Sequence, residues 1–325
     1  IGVRLVGSEM CIRDRFYQMV RRLKDAEELS TETVFIDGTK LEACANKYTF
    51  VWKKSVGKWE EKMFHKIQEA VRLLNHDYMQ SFTVNAESRA QDLQKISSYL
   101  EEKCQQDGTE FVYGRGRRKS KNQKYLELFQ RFRERQVTYN WHTASFQGRN
   151  NYCKTDPDAT FMHMKDDHMR NAQLKPGYNI QIGVDSEYIV SADVFQDRND
   201  VWTLVPFLKM MDEKLGFRYP SVTADSGYES EEGYTYLRSS GQKPYIKPQT
   251  YEKWKKRSFK QDISKRENMG YDKETDTYTC HAGKKLKALF VKKQKSKSGY
   301  ESEVTVYECD DCTYCPHKEK CTRAK

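Results

Sequence analysis

Two short apolar runs, far apart in the chain, each end at an aspartate. Residues 34–36 are Val, Phe and Ile and precede Asp37 and Gly38, whereas residues 222–224 are Val, Thr and Ala and precede Asp225. Short runs rich in β-branched and aromatic residues are typical of buried strands. Each aspartate is therefore expected at the exposed end of a strand, and two such carboxylates can jointly hold a hard divalent cation such as Mg²⁺.

A single Asp-Gly pair more often starts a turn, so the metal interpretation requires both acids. It predicts that the carboxyl oxygens of Asp37 and Asp225 lie within roughly 5 Å of each other, the span of two ligands on one metal ion. A fold that placed the two side chains on opposite faces of a sheet would exclude this site.

Charge and length restrict the class of protein. The chain has 325 residues and a net charge of +10, which is long enough for two or three domains. The basic excess makes a polyanion the first partner to consider, although a generally basic soluble protein would show the same balance. The sequence has no apolar run of the length that crosses a bilayer.

Residues 57–138 form a long region with helical rather than strand periodicity. Apolar side chains recur there three or four positions apart, in three successive stripes. The stripes predict a helical hairpin or small bundle whose apolar faces pack together. Their members are Trp59, Met63, Ile67, Val71 and Leu74, then Leu93, Ile96 and Leu100, then Tyr125, Leu128 and Phe132.

The second half of the chain alternates strand and helix patterns. In chain order these are a hairpin at residues 178–194, a helix at 201–215, the Asp225 strand, a helix capped by Ser230 and a strand at 243–248. Without the helical insertion, the order predicts an α/β fold with a ribonuclease-H-like mixed sheet flanked by helices. The strand of the first aspartate is then central, and the strand of the second is its neighbour.

Three polar features allow both a functional and a structural interpretation. Residues 46–54 mix aromatic with basic side chains, which suits phosphate contact with base stacking and equally suits an amphipathic strand. The basic run at 115–121 is either a loop touching a DNA backbone or a solvated linker. Asp156, Asp158 and His168 can be metal ligands, but turn and cap roles explain them as well.

The C-terminal end is rich in cysteine and lysine. Four cysteines at short spacings, with a histidine nearby, are typical of a structural zinc site. The predicted zinc ligands are Cys309, Cys312, Cys315 and Cys321. Cys280 and His281 upstream can contribute, and the basic residues 284–297 can lie along DNA. The cysteines interpreted as packing residues are Cys44, Cys104 and Cys153.

Several longer motifs add a resemblance to these local patterns. They are residues 35–43 (FIDGTKLEA), 46–54 (NKYTFVWKK), 154–162 (KTDPDATFM), 174–179 (LKPGYN) and 224–228 (ADSGY). Together they resemble a group of bacterial insertion-sequence transposases of the DDE type, and the resemblance covers nearly everything after residue 16.

The resemblance implies a ribonuclease-H-like catalytic core with Asp37 and Asp225 as the first two catalytic acids. In such enzymes two Mg²⁺ (or Mn²⁺) ions act at the phosphodiester that is cut or joined. The implied partner is double-stranded DNA, both transposon ends and target, bound by a homodimer. The implied location is the bacterial cytoplasm, with the nucleoid.

The chain departs from the family at the third acid, a Glu on a helix beyond the cysteine-rich segment. The acidic residues in that region lack the surrounding family pattern; they are Glu301, Glu303, Glu308 and Glu319. We therefore interpret the chain as a fragment that lacks both ends and is inactive as it stands. Residues 5–14 resemble the in-frame translation of a sequencing adapter rather than natural protein.

The predicted organisation divides the chain into six segments. They are an adapter-derived stretch (residues 1–15), the end of an N-terminal helical region (16–33), the first part of the catalytic core (34–54), a mainly helical insertion (55–150), the second part of the core (151–250) and a basic, cysteine-rich segment (251–325).

Two other functions use the same residues. A metal-dependent nuclease or phosphoesterase would share the two acids without joining strands. A zinc-stabilised DNA-binding protein would use the cysteines and the basic residues without catalysis.

Overall fold

The structure, a computed structural model, describes the backbone of residues 2–114, 116, 118–164 and 173–322, and the side chains from residue 12 onward. The chain folds as two units. The first unit contains the residues up to Thr39, Ile180–Phe195 and the residues from Asn199 on; the second contains Lys40–Asn179 and Gln196–Arg198.

The elements follow the predicted order. The α-helices of the described residues are α1 Gly2–Asp25, α2 Lys53–Tyr78, α3 Arg89–Gln106, α4 Lys121–Phe146, α5 Leu204–Leu215, α6 Glu231–Ser239, α7 Tyr251–Lys255, α8 Arg257–Lys260 and α9 Lys318–Cys321. The strands are β1 Thr33–Glu42, β2 Phe50–Trp52, β3 Asn151–Cys153, β4 Thr160–His163, β5 Leu174–Asp185, β6 Tyr188–Phe195, β7 Ser221–Ala224, β8 Lys243–Ile246, β9 Gly270–Asp272, β10 Thr277–Thr279, β11 Lys285–Lys295 and β12 Glu301–Cys309.

The main sheet has the strand order β4-β5-β1-β7-β8, with β6 paired to β5. It is mixed, because β1 and β8 run parallel to β7 whereas β4 runs antiparallel to β5. The strand that carries Asp37 is central, and the strand that precedes Asp225 is its direct neighbour. The predicted ribonuclease-H-like α/β class is confirmed.

Helices α1, α5 and α6 pack their apolar faces on the sheet in the first unit. The face predicted for residues 201–215 is buried in α5, and Phe207 is buried with it; the predicted members are Leu204, Leu208, Met211 and Leu215. Ser230 caps α6 as expected, since its side chain accepts a hydrogen bond from the Gly233 amide at 3.0 Å.

The β5–β6 hairpin turns through two residues with positive φ, Ser186 (49°) and Glu187 (71°), as a two-residue hairpin turn requires. Asp185, at the end of β5, is 1% exposed and holds the chain before β1. Its carboxylate accepts from the Ser30 hydroxyl at 2.6 Å and from the Thr31 amide at 2.9 Å. Burial raises the pKa of Asp185, but these hydrogen bonds outweigh burial and lower the pKa below its ordinary value.

Asp185 is expected to make stability depend on pH. The pKa of Asp185 is lower in the folded than in the unfolded state. The carboxylate therefore contributes fully to the free energy of unfolding above the unfolded-state pKa of about 3.9. This contribution is lost as the pH falls through the folded-state pKa. We expect Asp185→Asn to reduce the free energy of unfolding by about 2 kcal/mol at pH 7 and by much less near pH 3. Urea titrations at both pH values measure this, with the exposed Glu187→Gln as the matched control. An equal loss at both pH values would contradict the prediction.

The second unit is built around the helical insertion, α2 to α4, between β2 and β3. Its core confirms most of the predicted stripes, but two details of the prediction are wrong. Trp59 is 58% exposed, with the Lys62 ammonium 5.0 Å from its ring centroid. In α4, Phe132 is buried as predicted, but Leu126 and Phe129 are the other buried residues, whereas the predicted Tyr125 and Leu128 are only partly buried against the same cluster.

A second sheet, of order β12-β11-β10-β9, follows the main sheet in the sequence. The basic residues at 284–297, predicted only as a possible DNA contact, form most of β11, which pairs antiparallel with β12. Among the described residues beyond 250, only Thr277 is buried. This sheet therefore has no apolar core of its own.

Other sequence interpretations have mixed outcomes. Cys104 and Cys153 are buried as predicted, whereas Cys44 is exposed, so its assignment as a packing residue is wrong.

Helix α1 runs through the adapter-like residues 5–14, and the side chains of residues 12–15 are exposed. In the described part of the chain, helices long enough to cross a bilayer are not apolar enough to do so.

Candidate active site

The site is built by the register of two parallel strands in the first unit. Ile36 of β1 pairs with Ala224 of β7, the last pair of that ladder. Asp37 directly follows Ile36, and Asp225 directly follows Ala224, so each aspartate is the first residue beyond the last pair of the ladder. Neighbouring strands are about 4.8 Å apart, so the register sets the two aspartates side by side at the end of the ladder.

Both side chains belong to the same, less buried face. In β1, Val34 and Ile36 are buried, whereas Phe35 and Asp37 are exposed, as the two-residue period of a strand requires. Asp225 continues β7 with extended backbone angles, φ −77° and ψ 177°. It therefore follows the same alternation.

Local hydrogen bonds hold each carboxylate. The Oδ1 atom of Asp37 accepts from the Gly38 amide at 2.8 Å. The Oδ1 atom of Asp225 accepts from the Gly227 amide, also at 2.8 Å, and so caps a short 3₁₀ turn. Asp225 therefore serves as a turn residue as well, and the remaining oxygen lone pairs of an acid can still bind a cation.

A third acid, Asp200, lies near Asp225, and no pattern in the sequence predicts it. A β-carbon at residue 227 would lie 3.0 Å from Asp225 Oδ1 and 3.3 Å from Asp200 Oδ2. Gly227 thus allows both carboxylates to approach the same point of the backbone. Asp200 Oδ1 also accepts from Gln181 Nε2 at 3.3 Å.

Tyr228, three residues after Asp225, is 1% exposed. Its hydroxyl donates to Gln181 Oε1 at 2.5 Å. Burial, together with the negative charges of Asp200, Asp37 and Asp225, raises the pKa of Tyr228 strongly. The tyrosine is therefore neutral at pH 7.

Gly38 is required by the close packing of this polar layer. A β-carbon at residue 38 would lie 2.5 Å from Gln181 Nε2 and 2.9 Å from the Tyr228 hydroxyl. We expect Gly38→Ala to lower the free energy of unfolding by about 1–3 kcal/mol, because both neighbours are buried and must move. Thermal unfolding measures this. Gly57→Ala, in α2 with no atom within 4 Å, should instead stabilise by up to about 1 kcal/mol. Equal effects would contradict the packing argument.

The predicted zinc ligands come together elsewhere in the first unit. Cys309, Cys312, Cys315 and Cys321 line one cavity of about 590 Å³, and Cys280 lines it as well. Across the described residues, however, no three His, Cys, Asp or Glu side chains are arranged to hold a metal ion as they stand.

Other candidate ligands have structural roles or lie outside the described residues. Both carboxyl oxygens of Asp156 accept from the Tyr178 hydroxyl, at 2.9 and 2.8 Å. His168, Arg115 and Arg117 lie outside the described residues. On β12, Glu301 and Glu303 lie 3.3 and 3.8 Å from lysines of β11, so both acids are engaged within the hairpin.

A comparison with known proteins identifies a family. A sequence model of a protein family, described as the transposase DDE domain, matches residues 149–312, about half of the chain. Neither a curated protein nor a solved structure matches the chain significantly.

Proposed function

The chain belongs to the DDE transposase family, and from this premise we propose that Asp37 and Asp225 are two of its catalytic carboxylates. The proposed reaction is metal-dependent phosphodiester cleavage and strand transfer at the ends of an insertion sequence. The observation that supports it is the β1–β7 register, which sets the two acids side by side on one face.

The donor chemistry of the site suits Mg²⁺ or Mn²⁺, because both acids offer hard carboxylate oxygens. Such ions, when bound, neutralise the charge that develops on the entering and leaving oxygens of a phosphodiester. The contribution of the chain is to orient the two carboxylates, which accept hydrogen bonds from the Gly38 and Gly227 amides. The buried Tyr228–Gln181 pair orients the neighbouring Asp200, which accepts from Gln181.

We do not assign the third acid of the family to Glu301 or Glu303. Glu301 and Glu303 face lysines across the β11–β12 hairpin, and neither belongs to the main sheet that carries Asp37. The 325-residue chain is accordingly proposed to bind DNA and not to cut it.

The proposed partner is double-stranded DNA, bound by a homodimer at the transposon ends and at the target. The net charge of +10 and the exposed, lysine-rich strand β11 favour contacts with phosphates. Phosphate contacts release counterions, so the logarithm of the binding constant should fall linearly with the logarithm of the salt concentration.

The test compares this chain with a reading frame extended at its C-terminus to restore the missing acid. We expect both proteins to bind DNA of the element ends with the same steep salt dependence. Only the extended protein should cut that DNA, and only with Mg²⁺ or Mn²⁺. Salt-independent binding, or an extended protein that binds the ends without cutting them in either metal, would contradict the proposed function.

A further inference from the structure

The β9–β12 sheet needs a stabilising element that its side chains do not supply. Beyond residue 250, the described residues bury only Thr277, and no apolar side chain there is buried. Hydrophobic burial is the main source of stability in small folded regions, and regions without it usually depend on disulfides or a bound metal. The cysteines of this region are free thiols.

One thiol comes from the turn between β10 and β11. Cys280 begins this turn, which is closed by hydrogen bonds from the Cys280 amide to the Lys284 carbonyl and from the Gly283 amide to the Cys280 carbonyl, both 2.9 Å. Gly283 has a φ of +75°, which favours glycine. The turn is therefore tight, and it holds Cys280 at a defined place.

The other thiols follow β12. The Cys315 amide donates to the Cys312 carbonyl at 3.3 Å, and the Cys321 amide donates to the His317 carbonyl at 2.9 Å. These turns direct the segment back over the sheet, so its cysteines line the same cavity as Cys280. Cys309 differs, because it is the last residue of β12, where it pairs with Leu286 of β11, and does not belong to the returning segment.

We propose that Cys280, Cys312, Cys315 and Cys321 bind one zinc ion that fastens the β10–β11 turn to the segment after β12. Four thiolates from two turns are a common ligand set for structural zinc. Because the thiols are not yet in chelating positions, zinc binding draws the two segments together, as expected where metal binding and folding are coupled. The site is independent of the proposed catalysis, since neither Asp37 nor Asp225 takes part.

The test is the metal content of the 325-residue chain purified under reducing conditions. We expect about one zinc per chain, lost in Cys280→Ser and in Cys321→Ser. Cys309→Ser should keep the zinc, as should Cys44→Ser, whose exposed cysteine lies in the second unit. Chelation should make residues 251–325 sensitive to protease while the rest of the chain resists.

Three results would overturn the proposal: a wild-type chain without zinc, a Cys280→Ser chain with a full equivalent, or loss of zinc from Cys309→Ser. If Cys280→Ser does not fold, Cys280→His provides the second variant, because imidazole can replace a thiolate as a zinc ligand. That variant should bind about one zinc, and substitution by Co²⁺ should show thiolate charge-transfer absorption weaker than in the wild-type chain. Absorption of wild-type intensity would mean that Cys280 is not a ligand.

Discussion

Replacing Asp37 or Asp225 with Asn is expected to abolish DNA cleavage by the C-terminally extended protein. Each substitution removes a negative charge from the site at which cations are proposed to bind, while keeping the size of the side chain. Interactions that stabilise developing charge are each worth about 10²–10³ in rate, so the loss of a metal ligand should reduce cleavage by about 10³-fold or more. Cleavage of labelled transposon-end DNA measures the effect.

DNA binding should survive both substitutions, because it depends on lysine and arginine contacts with phosphates. The matched control is Asp193→Asn, which changes an acid of the same unit that pairs with Arg13 at 3.3 Å. We expect this control to cut DNA at the wild-type rate. If the Asp37→Asn protein still cleaves DNA, Asp37 is not a metal ligand and the assigned mechanism is wrong.

Replacing Arg149 with Lys is expected to destabilise the second unit severely. Arg149 is 6% exposed and lies between the end of α4 and β3. Its guanidinium donates to backbone carbonyls and one hydroxyl; the acceptors are Ser145, Phe146, Pro157, Asp158 and Thr160. A lysine has three donors and no planar fork, so several buried carbonyls would lose their partner.

Each lost hydrogen bond to a charged donor costs about 1.5–3 kcal/mol, so Arg149→Lys should reduce the free energy of unfolding by at least about 3 kcal/mol. Chemical denaturation measures the change. Arg131→Lys is the control, because Arg131 is exposed on α4 and donates within its own helix, to the Glu127 carbonyl. It should change stability by less than about 0.5 kcal/mol. A loss below about 1 kcal/mol for Arg149→Lys would contradict this role.

The parts of the fold that could be predicted from sequence are those with strong periodicity and a buried face. The apolar face of α5 is buried as expected, and so are Val34 and Ile36 of β1, because burial of one face imposes a regular pattern on the residues. Phe35 was expected to be buried with them, but it is 54% exposed, because alternate residues of β1 belong to the less buried face of the sheet. In α4 the pattern predicts Phe132 correctly but does not separate Tyr125 and Leu128 from Leu126 and Phe129, because all four are apolar and only packing in the helical cluster makes the last two the more buried.

Strands without a buried face leave no such pattern. In β11, lysines and exposed apolar residues follow one another, and Leu289, Phe290 and Val291 are each more than half exposed. The sequence therefore indicated only a basic segment there. Strand β11 pairs with β12 through backbone hydrogen bonds. Because every residue except proline can make these bonds whatever its side chain, the pairing leaves no side-chain pattern in the sequence.

The candidate site was predictable only in part. Two acids at the ends of apolar runs indicate neighbouring strand ends, and the β1–β7 register places Asp37 and Asp225 accordingly. The proximity of Asp200 to Asp225 depends on a short turn before α5 and on the absence of a side chain at Gly227. Neither feature follows from spacing, so that acid was missed.

Anomalous diffraction from Mn²⁺, in crystals of the extended protein bound to its DNA ends, tests the central claim most directly. We predict a manganese peak within about 2–2.5 Å of carboxyl oxygens of both Asp37 and Asp225, on the exposed face of β1. Manganese bound by other residues, with neither aspartate as a ligand or with the two on opposite faces of the sheet, would contradict the account.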